Sequence, residues 1–130
     1  MTDFSQALSV AASGMRAQAE RLRYTSENIA NTDTPGYRRK TVSFEAEIAD
    51  GRLSGGVSTG ALRLDPTEPE TIYDPAHPLA DASGNYQGSN VSLLMEIADA
   101  REAQRSYEAN LKMFDQIRQM QQGLMDLLRR

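Results

Sequence analysis

Two stretches of the chain, one toward each end, repeat apolar residues at helical spacing and contain no proline. In the first, Phe4, Leu8, Ala11, Met15, Leu22 and Ile29 share a face, and Leu8, Met15, Leu22 and Ile29 recur every seven residues. A seven-residue repeat keeps one stripe turned toward a partner helix, because it lies close to two turns of α-helix. The pattern predicts a helix from Phe4 to about Asn31 with a coiled-coil seam. That seam is narrow, since Gln18 and Thr25 stand where further apolar seam residues would fall.

From about Ser92 onward, Leu93, Ile97, Ala100, Tyr107, Leu111, Phe114, Ile117, Met120, Leu124 and Leu128 again follow helical steps. Such a helix is about 54 Å long at about 1.5 Å per residue, more than the width of a compact domain this size. Toward its end Met113, Phe114, Ile117, Met120, Leu124, Met125, Leu127 and Leu128 cover more than one seam. One antiparallel partner cannot cover all of them, so self-association or contact with other chains is expected there. Gly123 lies inside this stretch and costs about 1 kcal/mol relative to Ala, which predicts local fraying before assembly.

All five prolines fall between positions 35 and 78. Pro35 biases Thr34 away from helical angles, and Pro35-Gly36 fits the centre of a type II turn. Asn31, Pro35, Gly36 and Tyr37 therefore mark the turn that ends the first helix. Val42, Phe44, Ala46 and Ile48 alternate within residues 41–50, which predicts a short half-buried strand. Residues 51–60, GRLSGGVSTG, read as loop or hairpin tip, and Leu62, Leu64 and Ile72 alternate weakly. The segment DPAHPLADASGN is rich in turn formers. The expected fold is mainly α: two long terminal helices paired as an antiparallel coiled coil, with a small extended or β-hairpin middle segment. Its parts are residues 1–34, 35–90 and 91–130, within one domain.

Composition sharpens this picture. With 130 residues, 39% hydrophobic and 6% aromatic content, the chain can build only a thin core. A net charge of -4 repels phosphate and argues against a nucleic-acid partner. Residues 44–88 hold 8 acidic and 2 basic side chains, so the middle is acidic while the ends are mixed. The absence of cysteine excludes a disulfide framework, thiolate zinc and a cysteine nucleophile. The opening MTDFSQALSVAASGM has no basic n-region, so a cleaved signal is not expected, and no stretch approaches the roughly 18 apolar residues of a membrane span.

Candidate chemistry is sparse. His77, with Asp74 and Asp81 nearby, could be imagined to hold a metal, but a solvated turn is the better reading of one His and two Asp in a Pro-flanked loop. No acid, base or nucleophile set converges elsewhere, so no catalytic residue, metal, cofactor or small-molecule substrate is expected. The run Arg38, Arg39, Lys40 lacks the aromatic platform of a nucleic-acid site. A run this short is usually solvated.

The segment SGMRAQAERLRYTSENIANTDTPGYRRK, Ser13 to Lys40, resembles the N-terminal signature of the flagellar rod, hook and hook-associated protein family. That signature is a long helix ending in an Asn-rich turn followed by Gly-Tyr. YDPAHPLADASGN, Tyr73 to Asn85, and NVSLLMEIADAREAQRSYEANLKMF, Asn90 to Phe114, look like one of the family's proximal-rod proteins. The departures are Ser89, where such chains usually have proline, and Ser92, where they have asparagine. The DTPGY turn also occurs in a sister rod protein.

The resemblance implies a bacterial basal-body rod subunit in the rod that crosses the periplasm, with paired terminal helices. Its partners would be other copies of itself, other rod proteins and the flagellar type III export apparatus. The expected assembly residues are Leu8, Met15, Leu22 and Ile29 in the first helix and Ile97, Leu111, Phe114, Ile117 and Leu124 in the second. The alternatives are the sister rod protein and a helical adaptor that never polymerises.

Overall fold

A computed structural model describes residues 2–130. Helix α1 spans Thr2–Ala30 and helix α2 spans Leu93–Leu128, with 29 and 36 residues. Both expected helices are present, and the chain is mainly α with a small antiparallel-strand middle.

The helices pack against one another in opposite directions. Asn28 near the end of α1 bonds Glu96 near the start of α2, Arg21 meets Asp99 and Glu102, and Gly14 abuts Asn110. On α2 the buried or half-buried positions Glu96, Ala100, Ala103, Tyr107, Asn110, Phe114, Ile117 and Gln121 alternate steps of four and three. On α1 the same rhythm picks out Ala7, Ala11, Gly14, Gln18, Arg21, Thr25 and Asn28. The contact is therefore made by small and polar side chains on the α1 side.

Leu8, Met15, Leu22 and Ile29, expected to form the seam, stand one residue further on, about 100° around the helix. They are half-buried beside the contact, and Met15 borders a crevice with Tyr107 and Phe114. Close approach of two backbones selects small residues, and Gly14 shows why: a Cβ there would lie 2.9 Å from the Asn110 side-chain oxygen.

In the middle segment, β1 (Lys40–Thr41) pairs with β4 (Arg63–Leu64), β2 (Phe44–Ala49) with β3 (Arg52–Thr59), and β5 (Thr71–Tyr73) with β6 (Asn85–Gln87). All three pairings are antiparallel. The stretch 51–60, read from sequence as loop or tip, is mostly the strand β3. Only Asp50 and Gly51 form the tip, both with positive φ, 53° and 74°, as a two-residue hairpin turn requires. Within the strand Gly56 serves packing, because a Cβ there would collide with Glu47 and meet Ser13 Oγ at 3.3 Å.

The hairpin lies along α1. The Ser13 hydroxyl accepts from the Val57 amide at 3.0 Å and donates to the Val10 carbonyl at 2.7 Å, and Thr59 donates to Glu20. The expected burial of the alternating apolar residues is not found in β2, where only Glu47 is half-buried. Phe44, Ala46 and Ile48 are exposed, and Leu53 across from Ile48 is 73% exposed.

Replacing Gly14 with Val should overpack the helix contact at a cost of about 1–3 kcal/mol, lowering the thermal midpoint by several degrees, roughly 4 °C per kcal/mol. Adding Asn110→Ala should recover most of that loss. An unchanged midpoint for Gly14→Val would show that the helices do not approach so closely.

Candidate functional site: a polar junction and exposed helix faces

The first helix stops where the sequence places its turn. The Tyr37 amide donates to the Thr34 carbonyl at 3.1 Å and Gly36 has φ 74°, so Thr34-Pro35-Gly36-Tyr37 is a type II turn. Asn31 secures the helix end by donating to the Glu27 carbonyl at 2.8 Å and accepting from the Thr34 hydroxyl at 3.1 Å. The Gly36 amide then reaches the Gly88 carbonyl, which ties the turn to the segment leading into α2. Ser89, at the usual proline position, is buried and donates to the Thr32 carbonyl. Ser92 caps α2 by position, without a side-chain bond.

Below the turn lies a buried polar junction. The Asn28 side-chain oxygen accepts from the Lys40 amide at 2.8 Å and from the Tyr37 hydroxyl at 2.9 Å, and its nitrogen donates to the Lys40 carbonyl at 2.9 Å and to Glu96 at 3.3 Å. Arg39 donates through Nε to Glu96 and through Nη2 to Asp99 at 2.9 Å, with Asp65 3.9 Å from Nη1. Glu96 is 1% exposed, and a buried carboxylate is tolerable only when paired.

Burial works against the charge on Arg39, but its Glu96 hydrogen bond and the charges of Glu96, Asp99 and Asp65 outweigh it and raise its pKa. Burial likewise raises the pKa of the Tyr37 phenol, which keeps it a neutral donor. The hydroxyl and amide of Thr67 lower the pKa of Asp65, with smaller help from Arg39 and Arg38.

Within the chain the basic run is not simply exposed. Arg38 donates to the Asp65 and Thr67 carbonyls at 3.2 and 3.4 Å, Arg39 enters the junction, and Lys40 pairs with Glu27 at 2.8 Å. The acidic partners come from this chain, because the turn carries the run back across both helices. Asn28 and Glu96 passed unnoticed in the sequence, where one reads as a polar residue late in a helix and the other as a first-turn acid.

The turn-rich loop is built rather than solvated at random. His77 stacks on Tyr86 with ring centroids 3.8 Å apart and accepts the Leu79 amide at Nδ1. Asp74 and Asp81 accept the amides of Ala76 and Ser83, so their carboxylates serve local turns. Among the described residues no group of three His, Cys, Asp or Glu side chains could hold a metal ion.

The expected assembly residues divide by position. Leu8, Met15, Leu22 and Ile29 are half-buried along α1, and Phe114 and Ile117 are half-buried against it. Ile97, Leu111 and Leu124 are exposed on α2. Exposed with them are Leu94 and Met95 at the start of α2 and Met120, Met125, Leu127 and Leu128 toward its end, Leu94 reaching 79% and Leu128 74%. An open groove of about 460 Å³ beside the helix contact is lined by Ala7, Val10, Ala11, Met113 and Ile117. No helix of the described residues is long and apolar enough to cross a membrane.

Two family models match the chain: "Flagella basal body rod protein" over residues 8–38, and "Flagellar basal body rod FlgEFG protein C-terminal" over residues 82–127. The first covers α1 with its turn, and the second covers β6 and nearly all of α2. Flagellar basal-body rod protein FlgC of Agrobacterium fabrum is 43% identical, with 99% of this chain and 98% of the relative covered. FlgC of Bacillus subtilis is 35% identical over 85% of this chain and 88% of the relative, and that of Salmonella typhimurium 32% over 85% and 87%. These matches favour FlgC over the sister rod protein FlgB. The chain belongs to the FlgC family of flagellar basal-body rod proteins.

Proposed function

We propose that this chain is a structural subunit of the proximal rod, whose α1 and α2 pack side by side with the helices of neighbouring rod subunits, other copies of itself included, to form a tube that transmits motor torque. It catalyses nothing. The observation that carries this reading is the exposed apolar surface of α2, which one partner helix leaves open along most of its length. Contiguous apolar surface of this kind marks association sites. Contacts that do not close on two subunits generate helical tubes.

Within the subunit, the alternating three- and four-residue spacing of the contact supports a short antiparallel coiled coil. The Leu8, Met15, Leu22 and Ile29 stripe lies beside that contact, where a neighbour's helix can cover it. Ile97, Leu111 and Leu124 offer a second stripe on α2, and Phe114 and Ile117 join the two. Export fits the same design. A helix pair that buries mostly alanine and polar groups costs little to separate, so the chain can thread through the flagellar type III export apparatus and order fully on assembly.

Leu22→Asp places a charge in the stripe without touching the Asn28–Glu96 junction. Cells carrying it should lose motility and yield no intact basal bodies, while normal swimming with intact rods would refute the helix-packing reading. In purified monomer, hydrogen exchange should find little protection over residues 4–12 and 110–130, the helix ends remote from the Asn28–Glu96 junction, as expected of helices lacking most of their packing. Strong protection of both segments in a verified monomer would show a core already complete without neighbours.

A further inference from the structure

We propose that Asn28, Arg39 and Glu96 form a latch that lets the segment after the first helix take its fixed conformation only once α2 has docked. The latch is independent of how subunits assemble. An asparagine amide can accept two hydrogen bonds and donate two, and Asn28 uses all four. Two of them meet the amide and the carbonyl of Lys40, so the side chain holds the backbone as a neighbouring strand would. The fourth goes to Glu96, 68 residues away in the chain.

Glu96 completes the coupling. One of its oxygens accepts from Asn28 and the other from Arg39, whose remaining α2 partner is Asp99. The backbone of the same Arg39 sets the next element, because its amide donates to Asn90 at 2.6 Å and its carbonyl accepts from the Asp65 amide at 2.8 Å. Removing α2 would leave a donor of Asn28 and two of Arg39 without partners together. Half-satisfied buried polar networks are less stable than either fully formed or solvated ones, so the junction closes as a unit. The two ends of the chain must therefore both be present before residues 37–41 and the loop after β4 are set.

The test uses the full chain and two substitutions that preserve side-chain shape, Asn28→Asp and Glu96→Gln. Hydrogen exchange is read at the Lys40 and Asp65 amides, with α1 amides near Ala17 and the helical circular-dichroism signal as controls. Each single variant should speed exchange at both amides by about tenfold or more while the controls hold, the signature of one local opening unit.

In the double variant the amide introduced at position 96 can donate to the carboxylate introduced at position 28, reversing the polarity of the lost bond. The double variant should therefore exchange more slowly than the product of the two single effects. Exchange at Lys40 and Asp65 within about twofold of the parent chain in both singles, or effects that simply multiply in the double, would overturn the latch.

Should either single variant fail to fold, Asp99→Asn carries the test: it removes the charge of the outer α2 partner of Arg39, and although Asp99 also meets Arg21, that arginine keeps Glu102. Exchange faster by about threefold at both amides together supports the coupling, and no change at either overturns it.

Discussion

Helix α1 meets α2 through small and polar side chains, and most of what distinguishes this chain follows from that. The buried hydrophobic residues among those described are Ala11, Ala17 and Ala103, and the largest fully buried side chains are Glu96 and Asn28. Apolar burial stabilises in proportion to area, so three alanines contribute far less than a core of leucines. The large apolar residues have not been lost. They lie on the flanks and outer faces of the helices, where a single subunit leaves them half-buried or open to water.

Specificity within the subunit consequently rests on geometry and hydrogen bonding rather than on bulk. Gly14 fixes how closely the helices approach, with the Asn110 side chain packed opposite it and donating to the Ser106 carbonyl of its own helix. At the other end, Asn28 and Glu96 tie both helices to the turn and to the segment that follows. Arg38, Arg39 and Lys40 join the middle segment to the helices, Arg38 through the Asp65 and Thr67 carbonyls and the other two through the carboxylates of Asp99 and Glu27.

Much of the fold was legible because its signals are local. Proline-free stretches with helical periodicity became α1 and α2, and Pro35-Gly36 became a type II turn with Tyr37 closing it. The strand β3 was not legible, since Gly55, Gly56 and Gly60 read as loop residues until Gly55 is seen to take a positive φ and Glu45, Glu47 and Ser13 to occupy the space that side chains at Gly56 and Gly60 would need. The seam misled for a related reason. A seven-residue leucine repeat states a period but not which stripe a partner takes, and here the partner takes the stripe of small residues next to it. The polar junction was beyond reach altogether, because Asn28 and Glu96 acquire meaning only from groups 9 to 68 residues away.

If the open apolar faces exist to be covered by other rod subunits, a reconstruction of an intact basal body, at a resolution that places side chains, tests that most directly. Leu22, Ile97, Leu111, Leu124, Leu127 and Leu128 should be buried against neighbouring chains, with the Asn28–Glu96 junction unchanged inside each subunit. Finding those residues still facing water, with subunits joined through the middle segment alone, would contradict it.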